Sequence, residues 1–241
     1  MKEKIIYNYA NNNKDTLIVV ESGISGSIDS SLVRSATTHL KRGGDILSIQ
    51  YCSDMDFDNK NYFQMKDLTL AEYKNIFEQV YSEINGKKYK KIIYIGHSFQ
   101  ALVSLYILNK GKEEIKSKLN LILWDPSTSQ NIVESVQKYF DKIGDSYQAD
   151  KVGKVYKTIF SKRIIQELKD FDSIKHFKSI KKSTLMICAE NAGVHISEVY
   201  LGNKSTQYTI IKNSGHMFGA TKCRRELLKV TREYIERNKV E

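Results

Sequence analysis

The sequence has little of what stabilises secreted or membrane-inserted proteins. It contains three cysteines, Cys52, Cys188 and Cys223, which are too few and too scattered for a disulfide framework or a zinc site. No run approaches the roughly eighteen apolar residues of a membrane-spanning helix, and residues 1–4 lead directly into a strand-like segment without a secretory apolar region. We therefore expect reduced cysteines and a cytoplasmic protein without a membrane span.

Acidic residues are also in deficit, because 28 Asp and Glu stand against 38 Lys and Arg and leave a net charge of +10. Such a charge raises the question of a nucleic-acid partner. The lysines, however, cluster directly before apolar strand-like runs, at the amino edge of a parallel sheet and opposite the edge where ligands bind. This placement favours a solvated surface, and we expect no nucleic-acid partner. The clusters are Lys87, Lys88, Lys90 and Lys91; Lys116 and Lys118; and Lys178, Lys181 and Lys182.

What the chain does contain is an alternation of short apolar runs and amphipathic segments. A length of 241 residues with 41% hydrophobic residues suits one α/β domain with an insertion. The alternation predicts right-handed β-α-β crossovers, hence an α/β fold with a mostly parallel, doubly wound sheet. Predicted strands cover residues 5–9, 16–20, 46–51, 92–95, 119–124, 184–188 and 206–211; residues 52–67 are predicted to be a polar loop.

The alternation is interrupted over residues 128–180. Apolar residues there recur at helical spacing, as in Ile132, Val133 and Val136 and again in Val155, Tyr156, Ile159 and Phe160. This pattern predicts a helical cap without an intervening strand. The remaining residues, 1–127 and 181–241, are predicted to form the core.

The stretch that organises the chain is Gly96-His97-Ser98-Phe99-Gln100, which follows an apolar strand and precedes an apolar helix. It resembles the nucleophile elbow G-x-S-x-G of the α/β-hydrolase family, with Gln100 in place of the second glycine. The resemblance implies that Ser98 is a nucleophile and that the backbone N–H of Phe99 donates to an oxyanion.

Two more segments carry the resemblance. Ser22-Gly23-Ile24 occupies the place of the family's His-Gly loop, which makes the Ile24 N–H the second candidate oxyanion donor. Asn213-Ser214-Gly215-His216 resembles the family's terminal Gly-His loop, which makes His216 the candidate general base. His195 is its only rival, since His39, His97 and His176 fit structural or exposed positions better.

The acid of the triad is less obvious, because Ala192 stands where the family usually has an aspartate. Two carboxylates remain as candidates. Asp125 ends the strand after the elbow, directly before Pro126, the only proline in the chain, and Glu190 lies in the loop where the acid is usual. Asp125 is preferred, because some family members place the acid after this earlier strand, and Glu190 is the alternative.

The resemblance implies a cofactor-independent serine hydrolase, a carboxylesterase or thioesterase that cleaves esters or thioesters of a fairly apolar acyl group through an acyl-enzyme. Its expected partner is a small-molecule acyl substrate, and no metal is expected. An acyltransferase or a peptidase would use the same residues. The departures at Ser22, Gln100 and Ala192 motivate a different class, a non-catalytic ligand-binding protein of the same fold. The oligomeric state is left open.

Overall fold

Two sheets and their helices organise the chain in a computed structural model, which describes residues 5–24, 27–54, 63–65, 68–149, 155–192 and 202–238. The strands within these residues are β1 (Ile6–Ala10), β2 (Thr16–Glu21), β3 (Asp45–Gln50), β4 (Cys52–Asp54), β5 (Phe63–Met65), β6 (Lys91–His97), β7 (Leu119–Trp124), β8 (Asp141–Ile143), β9 (Ser146–Ala149), β10 (Val155–Ser161), β11 (Thr184–Ala189) and β12 (Thr206–Ile211). The helices are α1 (Ser31–Leu40), α2 (Leu70–Glu83), α3 (Phe99–Lys110), α4 (Glu113–Lys118), α5 (Ser129–Tyr139), α6 (Lys162–Asp170), α7 (Ser173–Ser179) and α8 (Thr221–Arg237).

The larger sheet has seven strands in the order β1-β3-β2-β6-β7-β11-β12. All of its neighbouring strands pair in parallel except β1, which runs antiparallel to β3 at one edge. The predicted mostly parallel, doubly wound sheet is therefore confirmed. Because β6 is the central strand and the strand order reverses around it, side chains at its carboxyl end lie where this architecture binds ligands.

Both faces of this sheet are covered, which explains why its strands read as continuous apolar runs. On β2, Leu17 and Val19 belong to the core that includes residues of α2 and α3, whereas Ile18 and Val20 belong to the core that includes residues of α1 and α8. All four side chains are buried. The alternation of side chains along the strand thus serves two cores at once.

The prediction that residues 128–180 are helical throughout is wrong. The segment does contain α5, α6 and α7, but β8, β9 and β10 lie between them, and Val155 to Phe160 belong to β10. Strand β10 pairs antiparallel with β9 and parallel with β5. Apolar residues at positions i, i+1, i+4 and i+5 fit a helical face, yet the β-branched and aromatic residues of β10 favour a strand once partner strands are available. That this segment acts as a cap stays a prediction.

Residues 52–67, predicted to be a polar loop, also contain strands. Strands β4 and β5 pair antiparallel and join β8, β9 and β10 in a second sheet of order β4-β5-β10-β9-β8. Three-residue strands give almost no periodic signal in the sequence, so their pairing depends on partners that are distant along the chain.

Residues 128–180, called the insertion below, form hydrogen bonds to the rest of the chain at the start of α2. Thr69 and Glu72 form the capping box expected from the sequence. The backbone N–H groups of Leu70 and Ala71 also donate to the carboxylate of Glu167, which belongs to α6, with a distance of 3.2 Å from Ala71 N to Oε1. The hydroxyl of Tyr106 on α3 donates to the same carboxylate at 3.0 Å. One side chain of the insertion therefore holds two core helices.

The lysine clusters lie where the sequence predicts them. Lys91 begins β6, and Lys118 and Lys182 come just before β7 and β11, so the lysines mark the amino edge of the parallel strands. Lys88 differs from the others because its Nζ lies 3.7 Å from the buried carboxylate of Asp45. Among the helices of the described residues, none is both long enough and apolar enough to cross a membrane.

Candidate active site

Ser98 lies on the tight turn between β6 and α3. Its backbone has φ 55° and ψ −118°, which is a strained conformation for a residue other than glycine. The strand and the helix approach each other closely here, because a Cβ placed on Gly96 would lie 2.5 Å from the carbonyl oxygen of Gln100 and 2.7 Å from the backbone of Ala101. The first glycine of the motif is thus required by packing. The turn has the geometry of a nucleophile elbow.

A chain of hydrogen bonds connects Ser98, His216 and Asp125. The Oγ of Ser98 lies 2.9 Å from Nε2 of His216, and Nδ1 of His216 lies 2.5 Å from Oδ2 of Asp125. The hydroxyl therefore donates to Nε2 while Nδ1–H donates to the carboxylate. The Asp125 side chain is only 6% exposed, whereas that of His216 is 40% exposed. Residues separated by 91 and 118 positions in sequence are brought together at the carboxyl edge.

Asp125 is held in place by the neighbouring strand. Its other carboxylate oxygen, Oδ1, accepts from the backbone N–H of Ala189 at 3.0 Å. Its own N–H donates to the carbonyl of Ile187 at 2.7 Å. The end of β11, where the family usually has the acid, here supplies a backbone donor that orients a carboxylate from β7.

Glu190, the alternative acid, is bonded to other groups. Its Oε2 accepts from the backbone N–H of Asn213 at 2.7 Å and its Oε1 from Nζ of Lys212 at 2.8 Å. Both donors favour the ionised form and lower the pKa of the Glu190 carboxyl, the Asn213 N–H most strongly. The carboxylate therefore contacts the loop that leads to His216 and not its imidazole.

The two candidate oxyanion donors flank the nucleophile. Gly23 lies against Ser98, since a Cβ on Gly23 would come within 2.9 Å of the Ser98 Cβ and 3.3 Å of its Oγ. Ile24 is the next residue in this loop and Phe99 follows Ser98 directly. No described residue accepts a hydrogen bond from the N–H of either one. A backbone N–H beside a nucleophile is the kind of donor that stabilises an oxyanion.

Two further residues at the site were not assigned a role from the sequence. Ser127 lies two residues beyond Asp125, and its Oγ is 3.3 Å from the Oγ of Ser98. His97 is fully buried, and its ring centroid lies 4.7 Å from that of His216. Burial and, to a smaller extent, the nearby His216 lower the pKa of His97 from 6.5 to about 4. In the sequence, the position of His97 inside the elbow is the signal that places it at the site.

The other sequence candidates lie away from this arrangement or outside the described residues. Gln100 is 3% exposed, and its Oε1 finds no hydrogen-bond donor among the described residues. His39 bonds to the carbonyl of Ser35, and His176 bonds to Asn109. His195, the rival base, lies outside the described residues.

The comparisons with known proteins agree at the level of the fold. No family profile matches the chain, and no curated protein does. Among solved structures, the chain is similar to Est1E from Butyrivibrio proteoclasticus, with a TM-score of 0.70 and 13% identity over 98% of this chain and 94% of that one. It is also similar to the esterase domain of a Rhodothermus marinus protein (TM-score 0.69, 11% identity, 98% and 99% covered) and to an esterase from Pyrococcus furiosus (0.67, 16%, 97% and 87%).

The chain therefore has the α/β-hydrolase fold, and the resemblance that the elbow suggested is confirmed at that level. The Rhodothermus marinus and Pyrococcus furiosus proteins are esterases by name. At identities of 10–16% the similarity establishes the fold, whereas the chemistry depends on the residues of the site.

The low pKa of His97 predicts how stability responds to acid. The unfolded chain takes up a proton on this residue near pH 6.5, whereas the folded protein does so only near pH 4. The contribution of His97 to the free energy of unfolding is therefore fully present above pH 6.5. It falls by on the order of 3 kcal/mol as the pH drops from 6.5 to about 4. We expect the free energy of unfolding of His97→Gln, measured by urea titration, to fall less between pH 7 and pH 4.5 than that of the wild type.

Glu21 has the opposite pH dependence, so the stability curve of the wild type alone does not isolate the effect of His97. Its fully buried carboxyl has a pKa well above the usual 4.5 because of burial, so it stabilises the folded state at low pH and this contribution is lost as the pH rises. The wild-type curve sums both effects, and only the difference between wild type and His97→Gln isolates the histidine. Parallel curves for the two proteins would contradict the prediction.

Proposed function

We propose that the protein is a serine hydrolase that cleaves an ester or thioester of a fairly apolar acyl group through an acyl-enzyme on Ser98. The observation that carries the proposal is the continuous hydrogen-bond chain from Ser98 Oγ through His216 to Asp125, at 2.9 and 2.5 Å. A serine hydroxyl is barely ionised at neutral pH and attacks a carbonyl only when a base takes its proton. His216 Nε2 is within reach to do so.

Each step of the reaction has a residue to perform it. Ser98 Oγ attacks the carbonyl carbon as its proton passes to His216 Nε2, and Asp125 stabilises the imidazolium that forms. The oxyanion accepts from the N–H groups of Phe99 and Ile24. The tetrahedral intermediate then expels the alcohol or thiol, which takes the proton from Nε2. Water then attacks the acyl carbon as its proton passes to His216 Nε2. The bond to Ser98 Oγ breaks, Oγ takes this proton, and the acid leaves.

The preference for an apolar acyl group is supported by the surroundings of Ser98. Phe99 is fully buried and makes edge contacts with Tyr73 at 5.4 Å and with Phe160 of the insertion at 6.4 Å between ring centroids. Next to the candidate base, the apolar side chain of Met217 is 47% exposed. Apolar side chains beside a few polar groups that orient the ligand are typical of small-molecule sites.

A fluorophosphonate probe tests the class of function directly. We expect the probe to label Ser98 of the wild type, since it needs an activated serine and no particular acyl chain, and not to label His216→Gln. A folded wild-type protein that remains unlabelled would overturn the enzyme and favour the ligand-binding alternative.

The substrate is then tested with p-nitrophenyl esters of graded chain length, with acyl-CoA thioesters alongside. A feruloyl ester belongs in the panel, because Est1E has a structure with ferulic acid bound. Preference for thioesters would identify a thioesterase. Transfer of the acyl group to an added alcohol in place of water would identify an acyltransferase, and cleavage of amides a peptidase.

The lysines at the amino edge are expected to leave turnover unchanged. They lie at the end of the strands opposite to Ser98 and act at most through long-range attraction, which salt screens. The triple variant Lys87→Gln, Lys90→Gln, Lys181→Gln avoids Lys88, which contacts Asp45. Its kcat/KM for a neutral ester should stay within about twofold of the wild type at physiological salt. A tenfold fall would contradict the assigned location of the active site.

A further inference from the structure

We propose that His97 is a positioning residue whose imidazole ties the loop of Gly23 and Ile24 to the loop of His216, and so fixes the candidate oxyanion site relative to the candidate base. The proposal rests on the proposed function, because it assigns His97 a task within the same site. His97 does not contact the reacting atoms in this role.

Both ring nitrogens of His97 are used. The backbone N–H of Gly23 donates to Nδ1 at 3.4 Å, and Nε2–H donates to the carbonyl oxygen of His216 at 2.8 Å. These partners are 74 and 119 residues away in sequence. A single side chain from β6 thus connects two loops that are far apart in the sequence.

Only one form of the imidazole satisfies both bonds. The Gly23 N–H can only donate, so Nδ1 must carry no proton, and the carbonyl of His216 can only accept, so Nε2 must carry one. A second proton on Nδ1 would point at the Gly23 N–H and break that bond. The groups that face the ring are Asp125 and His216. The low pKa of His97, about 4, keeps its ring neutral at neutral pH.

The consequence lies in the precision of the site. The ring of His97 packs at 37° against the ring of His216 and at its edge against Phe218, so it also limits how the base can tilt. Gly23 in turn leaves no room for a side chain beside Ser98, since an added Cβ would lie 2.9 Å from the Ser98 Cβ, and Ile24 is the next residue. A displacement of about 1 Å in such groups can cost about 100-fold in rate, because the reacting atoms leave the productive geometry.

Three substitutions separate the two bonds. In His97→Asn the side-chain oxygen falls near the place of Nδ1 and can accept from Gly23, but nothing reaches the carbonyl of His216. In His97→Gln the amide nitrogen falls near the place of Nε2 and can donate to that carbonyl, but Gly23 loses its acceptor. His97→Phe keeps the ring stack and removes both bonds. His39→Asn, on the exposed face of α1, is the matched control.

The expected result is a separation of readouts. We expect kcat/KM to fall about 100-fold in His97→Phe with KM little changed, and by smaller factors in the other two. The low-field proton resonance of His216 Nδ1–H, recorded without substrate, should move in His97→Phe, which keeps the ring stack and loses the bond to the His216 carbonyl. It should move less in His97→Gln than in His97→Asn, since both lose the stack and only Gln keeps that bond. The variants in which the resonance moves should also show a shifted midpoint in the pH profile of kcat/KM. His39→Asn should match the wild type in all three measurements.

Two outcomes would overturn the proposal. One is a His97→Phe protein with an unmoved resonance and kcat/KM within about threefold of the wild type. The other is an equal loss in all three variants that follows their thermal unfolding midpoints and leaves the resonance and the pH profile the same in each, which is the behaviour of a residue that only packs. Because the resonance needs no turnover, it is read even if fluorophosphonate labelling of the wild type fails, and the two failures remain distinguishable.

Discussion

Replacing Ser98 by alanine is expected to lower turnover by about 10⁴-fold or more while the protein stays folded. The substitution removes one hydroxyl from a turn and leaves the backbone, which already has a positive φ, with a side chain of nearly the same size. What is lost is the hydroxyl that is hydrogen-bonded to Nε2 of His216 and forms the acyl-enzyme in the proposed reaction. The measurement is kcat for the best p-nitrophenyl ester, together with the thermal unfolding midpoint.

A matched control for this variant is Ser104→Ala. Ser104 is also buried and lies within α3, where its hydroxyl donates to the carbonyl of Ala101. Its kcat should be unchanged. Activity of Ser98→Ala within tenfold of the wild type would rule out a serine mechanism, and so would an equal loss in both variants.

The second large effect is expected at Asp125. Asp125→Asn keeps the shape of the side chain and its reach toward Ala189 but removes the negative charge that faces Nδ1 of His216. An imidazolium without this partner forfeits much of its stabilisation, and the imidazole can adopt the wrong tautomer, so kcat should fall by about 10⁴-fold.

Glu190→Gln is the natural comparison, since Glu190 is the other carboxylate that the sequence offers. It keeps the ability to accept from the Asn213 N–H and loses a partly exposed ion pair with Lys212, which is worth little in stability. We expect kcat to stay within about threefold of the wild type. Large loss in Glu190→Gln alone would make Glu190 the acid and the preference for Asp125 wrong.

The parts of the site that the sequence predicted are those encoded locally. The elbow combines a buried strand, a glycine at the point of closest approach and an apolar helix within about a dozen neighbouring residues. The Gly-His loop before the last helix is equally local. Both could be recognised because their spacing along the chain is also their spacing in the fold.

The parts that the sequence left open depend on contacts between distant loops. The choice between Asp125 and Glu190 turns on which carboxylate the Ala189 N–H holds and which one the Lys212–Asn213 loop holds. The strands of the insertion were missed for the same reason, since β5, β9 and β10 are strands by virtue of their pairing. His97 looked like a packing residue because its two partners come from the beginning and the end of the chain.

The carboxylate of Glu167 gives the insertion a significance beyond any covering of the site. The first turn of a helix has N–H groups without partners inside the helix, and α2 receives part of its acceptors from α6. The start of α2 is therefore capped both by its own Thr69 and by Glu167 of α6. Cutting out residues 128–180, or exchanging them for another cap, removes the protein acceptor at Leu70 and Ala71 unless the replacement brings one. A change in this segment is therefore expected to affect the stability of the core as well as the choice of substrate.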